Sequence, residues 1–277
     1  MKEYKKYTSE EDYKKGLTSR ESFLVSTLAR EDKKIFGIED VRSIIGKDPK
    51  RVMSSLLRKK WILSLKRGLY AVVPLDVGVK GADSFILHNF VIASHLVDPY
   101  YIGYWSALNY YGLTEQLPRT TFIATTKPKS SLIILQANYY FIKIKKRKFF
   151  GFEEIEVDGW KVNISSPEKS IVDCLDHPEH CGGIDETARS IYFNHDELDL
   201  KRIYSFSEVM DNKTILKRLG YILETSGLFA RYRNLFTGFK PSKGYPALDP
   251  LCSRKGRHNS RWGLLVNVDL KPEGWMY

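Results

Sequence analysis

Between Lys47 and Arg67 the chain holds eight basic residues and one acid, Asp48, on a segment with a strict helical period. At about 100° per residue, Val52, Met53, Leu56 and Leu57 share one side of a helix. Arg51, Ser54, Ser55 and Arg58, at i, i+3, i+4 and i+7, share the opposite side. The apolar side has to be covered by a small core. The other side offers long cations and small hydroxyls with no acid among them.

The flanking residues supply that core. Thr18-Ser19-Arg20-Glu21 is a capping box that opens a first helix, with Phe23, Leu24 and Leu28 at helical spacing. A second helix, about 38–45, places Val41, Ile44 and Ile45 on one face and stops at Gly46. The third opens with Asp48-Pro49, an N-cap acid followed by proline at the first helical position. The connection between helices two and three is only a few residues, as a helix-turn-helix requires. Trp61 to Leu65 and Leu69 to Val73 then read as two short strands around Lys66-Arg67-Gly68. A basic third helix followed by a basic hairpin tip is the arrangement of a winged helix-turn-helix, predicted here over residues 18–76.

In that arrangement Arg51, Ser54, Ser55 and Arg58 face the major groove of double-stranded DNA. Small residues let the helix approach closely, and arginine grips a guanine edge or a phosphate in bidentate fashion. Lys47, Lys50, Lys59, Lys66 and Arg67 are then placed to meet phosphates. Three alternatives stay open: a solvated amphipathic helix, a winged helix that docks on protein, and an RNA-binding regulator without operator specificity.

The charge distribution points the same way. The 277 residues carry a net charge of +11, and the first 80 contain 19 basic residues against 11 acidic ones. A surplus of that kind suits a polyanionic partner. With 43% hydrophobic and 28% charged residues the composition is that of an ordinary globular protein, which excludes collagen-like and disordered classes. Three cysteines make a disulfide scaffold unexpected and a reducing, cytoplasmic setting the natural one. The start, MKEYKKYTSEEDYKK, has no apolar h-region, and no stretch is apolar enough to span a bilayer, so no membrane association is expected. Residues 1–17 read as a charged arm.

Residues 74–83 have the composition of a linker, and from 84 to 277 the pattern becomes a larger mixed α/β domain, α+β as a whole. Helices are predicted over 84–97, 106–111, from Ser166-Pro167 onward, and twice within 198–226. Strands are predicted at 100–103, 121–126, 139–144 and 262–268, with a hairpin around Asp158-Gly159. Cys174, His177, His180 and Cys181 are all possible zinc ligands. One short stretch broken by Pro178 reads better as a helix end running into a turn, and no metal is assigned.

Two further stretches are basic. Residues 143–148 hold five cations and read either as a charged edge strand or as a nucleic-acid surface backed by Phe149, Phe150 and Phe152. Residues 231–261 read as a packed tail or a phosphate-binding strip. No phosphate-binding loop, dinucleotide fingerprint, zinc-protease motif or nucleophile elbow occurs, and no Asp-x-Asp triplet is present to hold Mg²⁺. No enzymatic activity and no cofactor are therefore expected.

Several segments have a familiar order along the chain. They are Lys66-Arg67-Gly68-Leu69-Tyr70, then Tyr101-Ile102-Gly103-Tyr104-Trp105-Ser106-Ala107-Leu108 with Tyr111-Gly112-Leu113, then Ser166-Pro167-Glu168-Lys169-Ser170-Ile171-Val172-Asp173-Cys174-Leu175. Together they resemble the AbiEi family, the antitoxin half of the abortive-infection AbiE toxin–antitoxin systems and transcriptional regulators of viral defence. The resemblance runs from about Thr18 to Arg189, with Leu248-Asp249-Pro250 and Arg261-Trp262-Gly263 similar as well. It implies an N-terminal winged helix that represses its own operon by binding promoter repeats. It also implies a C-terminal domain that counteracts a nucleotidyltransferase-like toxin without a stable complex.

Overall fold

The structure is a computed structural model that describes residues 14–75 and 87–276. The chain is of mixed helix and strand, in keeping with the α+β class, and divides between His88 and Asn89 into two compact units. Among the described residues no helix is long and apolar enough to cross a membrane.

The N-terminal unit follows the sequence closely. Thr18 caps helix α1 (Ser19–Arg30) through a complete capping box: the Thr18 hydroxyl accepts from the Glu21 amide, and the Thr18 amide donates to the Glu21 carboxylate at 2.7 Å. Leu24 and Leu28 of α1 meet Val41 of α2 (Ile38–Ile45) and Val52, Met53 and Leu56 of α3 (Pro49–Arg58), with Phe36 and Ile62 completing the core. Strand β1 (Ile35–Gly37) joins the hairpin of β2 (Ile62–Lys66) and β3 (Leu69–Val72) in the order β1-β3-β2, antiparallel throughout. This first strand was not expected, because three residues are too few to display a period.

Two local expectations are corrected. Asp48 does not cap α3 with its side chain. It takes the left-handed conformation, φ 50°, and with Gly46 at φ 69° it turns the chain sharply between α2 and α3. Residues 14–17 are not a free arm either. The Lys14 ammonium donates to the carbonyls of Val73 and Pro74, the Trp61 indole donates to the Lys15 carbonyl, and Leu17 packs on the core. Residues 1–13 of that expected arm, and residues 76–83 of the expected linker, lie outside the described residues.

In the C-terminal unit the described residues form a mixed sheet in the order β6-β7-β5-β4-β9-β8. Its strands are β4 (Tyr100–Ile102), β5 (Thr120–Thr125), β6 (Leu132–Ile134), β7 (Ala137–Lys143), β8 (Phe152–Val157) and β9 (Trp160–Ser165). The β8–β9 hairpin turns at Asp158-Gly159, both at positive φ, as the Asp-Gly pair predicts. Helix α4 (Asn89–Ser94) is shorter than the expected 84–97, of which 84–86 lie outside the described residues, and α5 (Tyr104–Tyr110) follows β4.

Helix α6 (Pro167–Asp176) is the hub of this unit. Ser166 caps it, and it touches α5, α7 (Ile184–Asn194), α8 (Leu200–Val209) and α9 (Lys213–Thr225). Every residue from Glu168 to Asp176 is buried, so its charged residues need internal partners. Lys169 pairs with Asp173 one turn on. Its ammonium donates to the Tyr101 hydroxyl at 3.0 Å, and that hydroxyl donates to Asp173 at 3.0 Å. Asp176 is met by the Lys148 ammonium and by the Asn212 amide at 2.7 Å.

The chain after α9 wraps the unit through α10 (Phe229–Tyr232) and a two-stranded ribbon, β10 (Arg257–Asn259) with β11 (Leu264–Val266). Two buried cations of α9 hold it by its carbonyls. Lys217 donates to Ser242, Gly244 and Gly263, and Arg218 donates to Ala247 and Leu248. Asp249 completes the wrap by accepting from the Ile184 amide at 2.9 Å, at the N-terminus of α7.

Candidate nucleic-acid interface

The surface of α3 is set by what its other side buries. Val52, Met53 and Leu56 are 8%, 2% and 0% exposed, which fixes the rotation of the helix. Arg51, Ser54 and Arg58 are exposed on the far side, with Lys47 and Lys50 exposed before and within the first turn. The first turn of α3 contains no acid, so these cations have no carboxylate neighbour on their own helix there. Arg20 of α1 steadies the approach by donating to the carbonyls of Ile45 and Lys47. At the hairpin tip Arg67 is exposed beside Gly68, whose φ of 83° makes the tight turn, and Lys66 is half-buried.

Two of the nine residues named from the sequence belong to another group. Lys59 does not reach outward. Its ammonium pairs with Glu21 at 2.6 Å and donates to the Gly16 carbonyl at 2.9 Å, with the side chain 14% exposed. Ser55 is half-buried and hydrogen-bonds the same Glu21 carboxylate. Helical spacing put both on the outer stripe, but an acid on α1 draws them to its edge. The signal was present in Glu21, whose capping role left one face of its carboxylate for a cation.

Glu21 is the more strongly shifted of two carboxylates in this unit, Asp40 being lowered as well by Lys33 and the Gly37 amide. Burial would raise the Glu21 pKa, but hydrogen bonds from Lys59, Ser55 and Thr18 outweigh burial and hold it down to about 2, against 4.5 ordinarily. A lowered carboxylate pKa stabilises the folded state above the unfolded value and loses that contribution as the pH falls through the folded one. The N-terminal unit is therefore expected to lose about 2 kcal/mol between pH 4.5 and pH 2 from this group. Glu21→Gln should flatten that part of the profile. Urea titrations across this pH range, compared between the two proteins, check it.

The other basic stretches are partly tied into the fold, with Lys143, Lys145 and Lys146 left exposed. Residues 143–148 are not an edge strand: β7 lies inside the sheet and ends at Lys143, and Lys146–Lys148 form a single 3-10 turn. There Arg147 pairs with Asp211 at 2.7 Å and Lys148 with Asp176. The aromatics behind them face inward, Phe149 and Phe152 against Tyr101 and Phe150 over the Lys169 ammonium. Within 231–261, Arg231 pairs with Asp196 and Arg261 with Glu224, while Phe236 and Phe239 pack on Trp262. Rings packed in this way are not open for stacking on bases, whereas Tyr245 on the same tail is exposed.

The four candidate zinc ligands separate into two groups. Cys174 and Cys181 are free and buried in the core, whereas His177 and His180 stand on the turn after α6 with Glu179. The turn itself is as expected, a helix end running into Gly182 and Gly183 at φ 77° and 97°.

No protein-family model matches the chain, and no curated protein is similar to it. Among solved structures it is similar to the RV2827C protein from Mycobacterium tuberculosis, with a TM-score of 0.63 at 15% sequence identity. The match covers 93% of this chain and 94% of that one, so the fold is shared along nearly the whole length. At this identity the likeness concerns the fold alone.

Proposed function

We propose that residues 18–76 form a winged helix-turn-helix that binds double-stranded DNA, and that the chain is a cytoplasmic, non-enzymatic antitoxin and transcriptional autorepressor of an AbiE-like system. The observation that carries the DNA-binding part is the outer side of α3. Arg51, Ser54 and Arg58 stand exposed and opposite the buried Val52, Met53 and Leu56, with Lys47, Lys50 and Arg67 around them. In this reading α3 enters the major groove and the β2–β3 tip lies along the backbone. The antitoxin part rests on the ordered motifs that resemble the AbiEi family. Its partner in that reading is a nucleotidyltransferase-like toxin, counteracted without a stable complex.

The test is a titration of the purified protein against a fragment of its own promoter and against an unrelated duplex, each at several salt concentrations. Tighter binding to the promoter, with a steep loss of affinity as salt rises, is expected. Arg67→Ala should lower the log–log salt slope by about one while leaving the preference for the promoter intact. Equal affinity for both duplexes would turn the reading toward non-specific or protein-directed binding.

A further inference from the structure

The turn after α6 carries a group that neither the fold nor the DNA-binding reading uses. His177, Glu179 and His180 each offer one ligand atom, and these atoms lie within 4.8 Å of one another. His177 Nδ1 is 2.9 Å from Glu179 Oε1. Ligand atoms around a tetrahedral zinc stand about 3.3 Å apart for bonds near 2.0–2.1 Å, so that pair has to open by a few tenths of an ångström and the widest separation, up to 4.8 Å, has to close by up to about 1.5 Å.

The surroundings are those of a metal-binding histidine. The other nitrogen of His177, Nε2, is 3.4 Å from Asp176 Oδ2. Asp176 is in turn fixed by Lys148 and by Asn212 at 2.7 Å. A carboxylate behind the distal nitrogen orients the ring and raises its basicity as a ligand. His180 is positioned by aromatic rings, with Tyr104, Tyr140 and Phe122 at 5.5, 5.3 and 6.0 Å between centroids. Pro178 and the 3-10 turn Pro178–His180 shorten the backbone between the two imidazoles. Glu179 is exposed, so the site can be reached from solvent.

We propose that His177, Glu179 and His180 bind one divalent transition-metal ion of the zinc class, with Asp176 as the carboxylate that orients His177. Two imidazoles and one carboxylate are a borderline donor set, suited to zinc rather than to magnesium or calcium. Three protein ligands leave a fourth position for water or a group from a bound molecule. The buried thiols of Cys174 and Cys181 are not part of the site.

The test is a titration of the untagged full-length protein with Co²⁺ as a spectroscopic probe, followed by displacement with Zn²⁺. One Co²⁺ per chain is expected, with visible ligand-field bands and no thiolate charge-transfer band in the near ultraviolet. His177→Ala and His180→Ala should each weaken binding at least about tenfold, and Glu179→Gln should also weaken it. Asp176→Asn should cost about 10- to 100-fold without removing a ligand. His258→Ala, on the ribbon, should leave binding unchanged. Circular dichroism of each variant separates loss of the site from loss of the fold, and the exposed Glu179 gives a variant that leaves the core untouched. Absence of saturable one-to-one binding overturns the proposal. So does a thiolate band, or full affinity in folded His177→Ala, His180→Ala and Glu179→Gln proteins.

Discussion

Asp173→Ala is expected to destabilise the C-terminal unit by about 3–5 kcal/mol, the cost of leaving one half of a buried ion pair alone. Lys169 and Asp173 are 0% and 1% exposed, so neither charge is in contact with bulk solvent. The carboxylate accepts from both the Lys169 ammonium and the Tyr101 hydroxyl, so its removal leaves a buried ammonium with the Tyr101 hydroxyl as a neutral partner and the Phe150 ring beside it. Burial pushes the Asp173 carboxyl up in pKa while Lys169 and Tyr101 pull against it. Burial prevails for the carboxyl, and the pair's value lies in being complete. Replacing both residues, Lys169→Met with Asp173→Leu, should therefore recover much of what the single change loses. Urea unfolding followed by tryptophan emission reads this, because four of the five tryptophans lie after Asn89. A loss below about 1 kcal/mol in the single variant would contradict the account.

That triad also explains why two distant motifs stand out in the sequence. Tyr101 begins one of them and Lys169 and Asp173 lie in the other, and they meet in the core rather than on a surface. The Leu248-Asp249-Pro250 segment is similar in kind, since Asp249 satisfies the start of α7. These motifs define how the C-terminal unit is built.

Most of the N-terminal unit was legible because its signals are local. The capping box at Thr18, the stop at Gly46, the proline at the start of α3 and the Gly68 turn each act within a few residues. Apart from Asp48, whose left-handed backbone keeps its side chain from capping α3, the assignments that failed depended on partners far away in sequence. Helical spacing alone turns Lys59 outward, but Glu21, 38 residues earlier in the chain, stands beside it. Residues 143–148 looked like an edge strand because periodicity does not reveal the order of strands in a sheet. The grouping of His177, Glu179 and His180 without the cysteines depends on the direction of a single turn, which spacing alone leaves open.

The largest effect expected on function is in the Arg51→Ala, Arg58→Ala double variant. Both side chains are exposed, so their removal leaves Val52, Met53 and Leu56 packed and the unit folded. An arginine that reads a base edge contributes about 1–3 kcal/mol of discrimination, and one on a phosphate contributes to the salt slope. With the two lost together, affinity for the promoter fragment should fall roughly 30-fold or more, taking 1 kcal/mol or more from each. The decisive measurement is the affinity of this variant for the promoter fragment beside that of the parent protein, at one fixed salt concentration. A large loss with the fold intact is the result expected. Unchanged affinity would place the DNA elsewhere, or nowhere, on this protein.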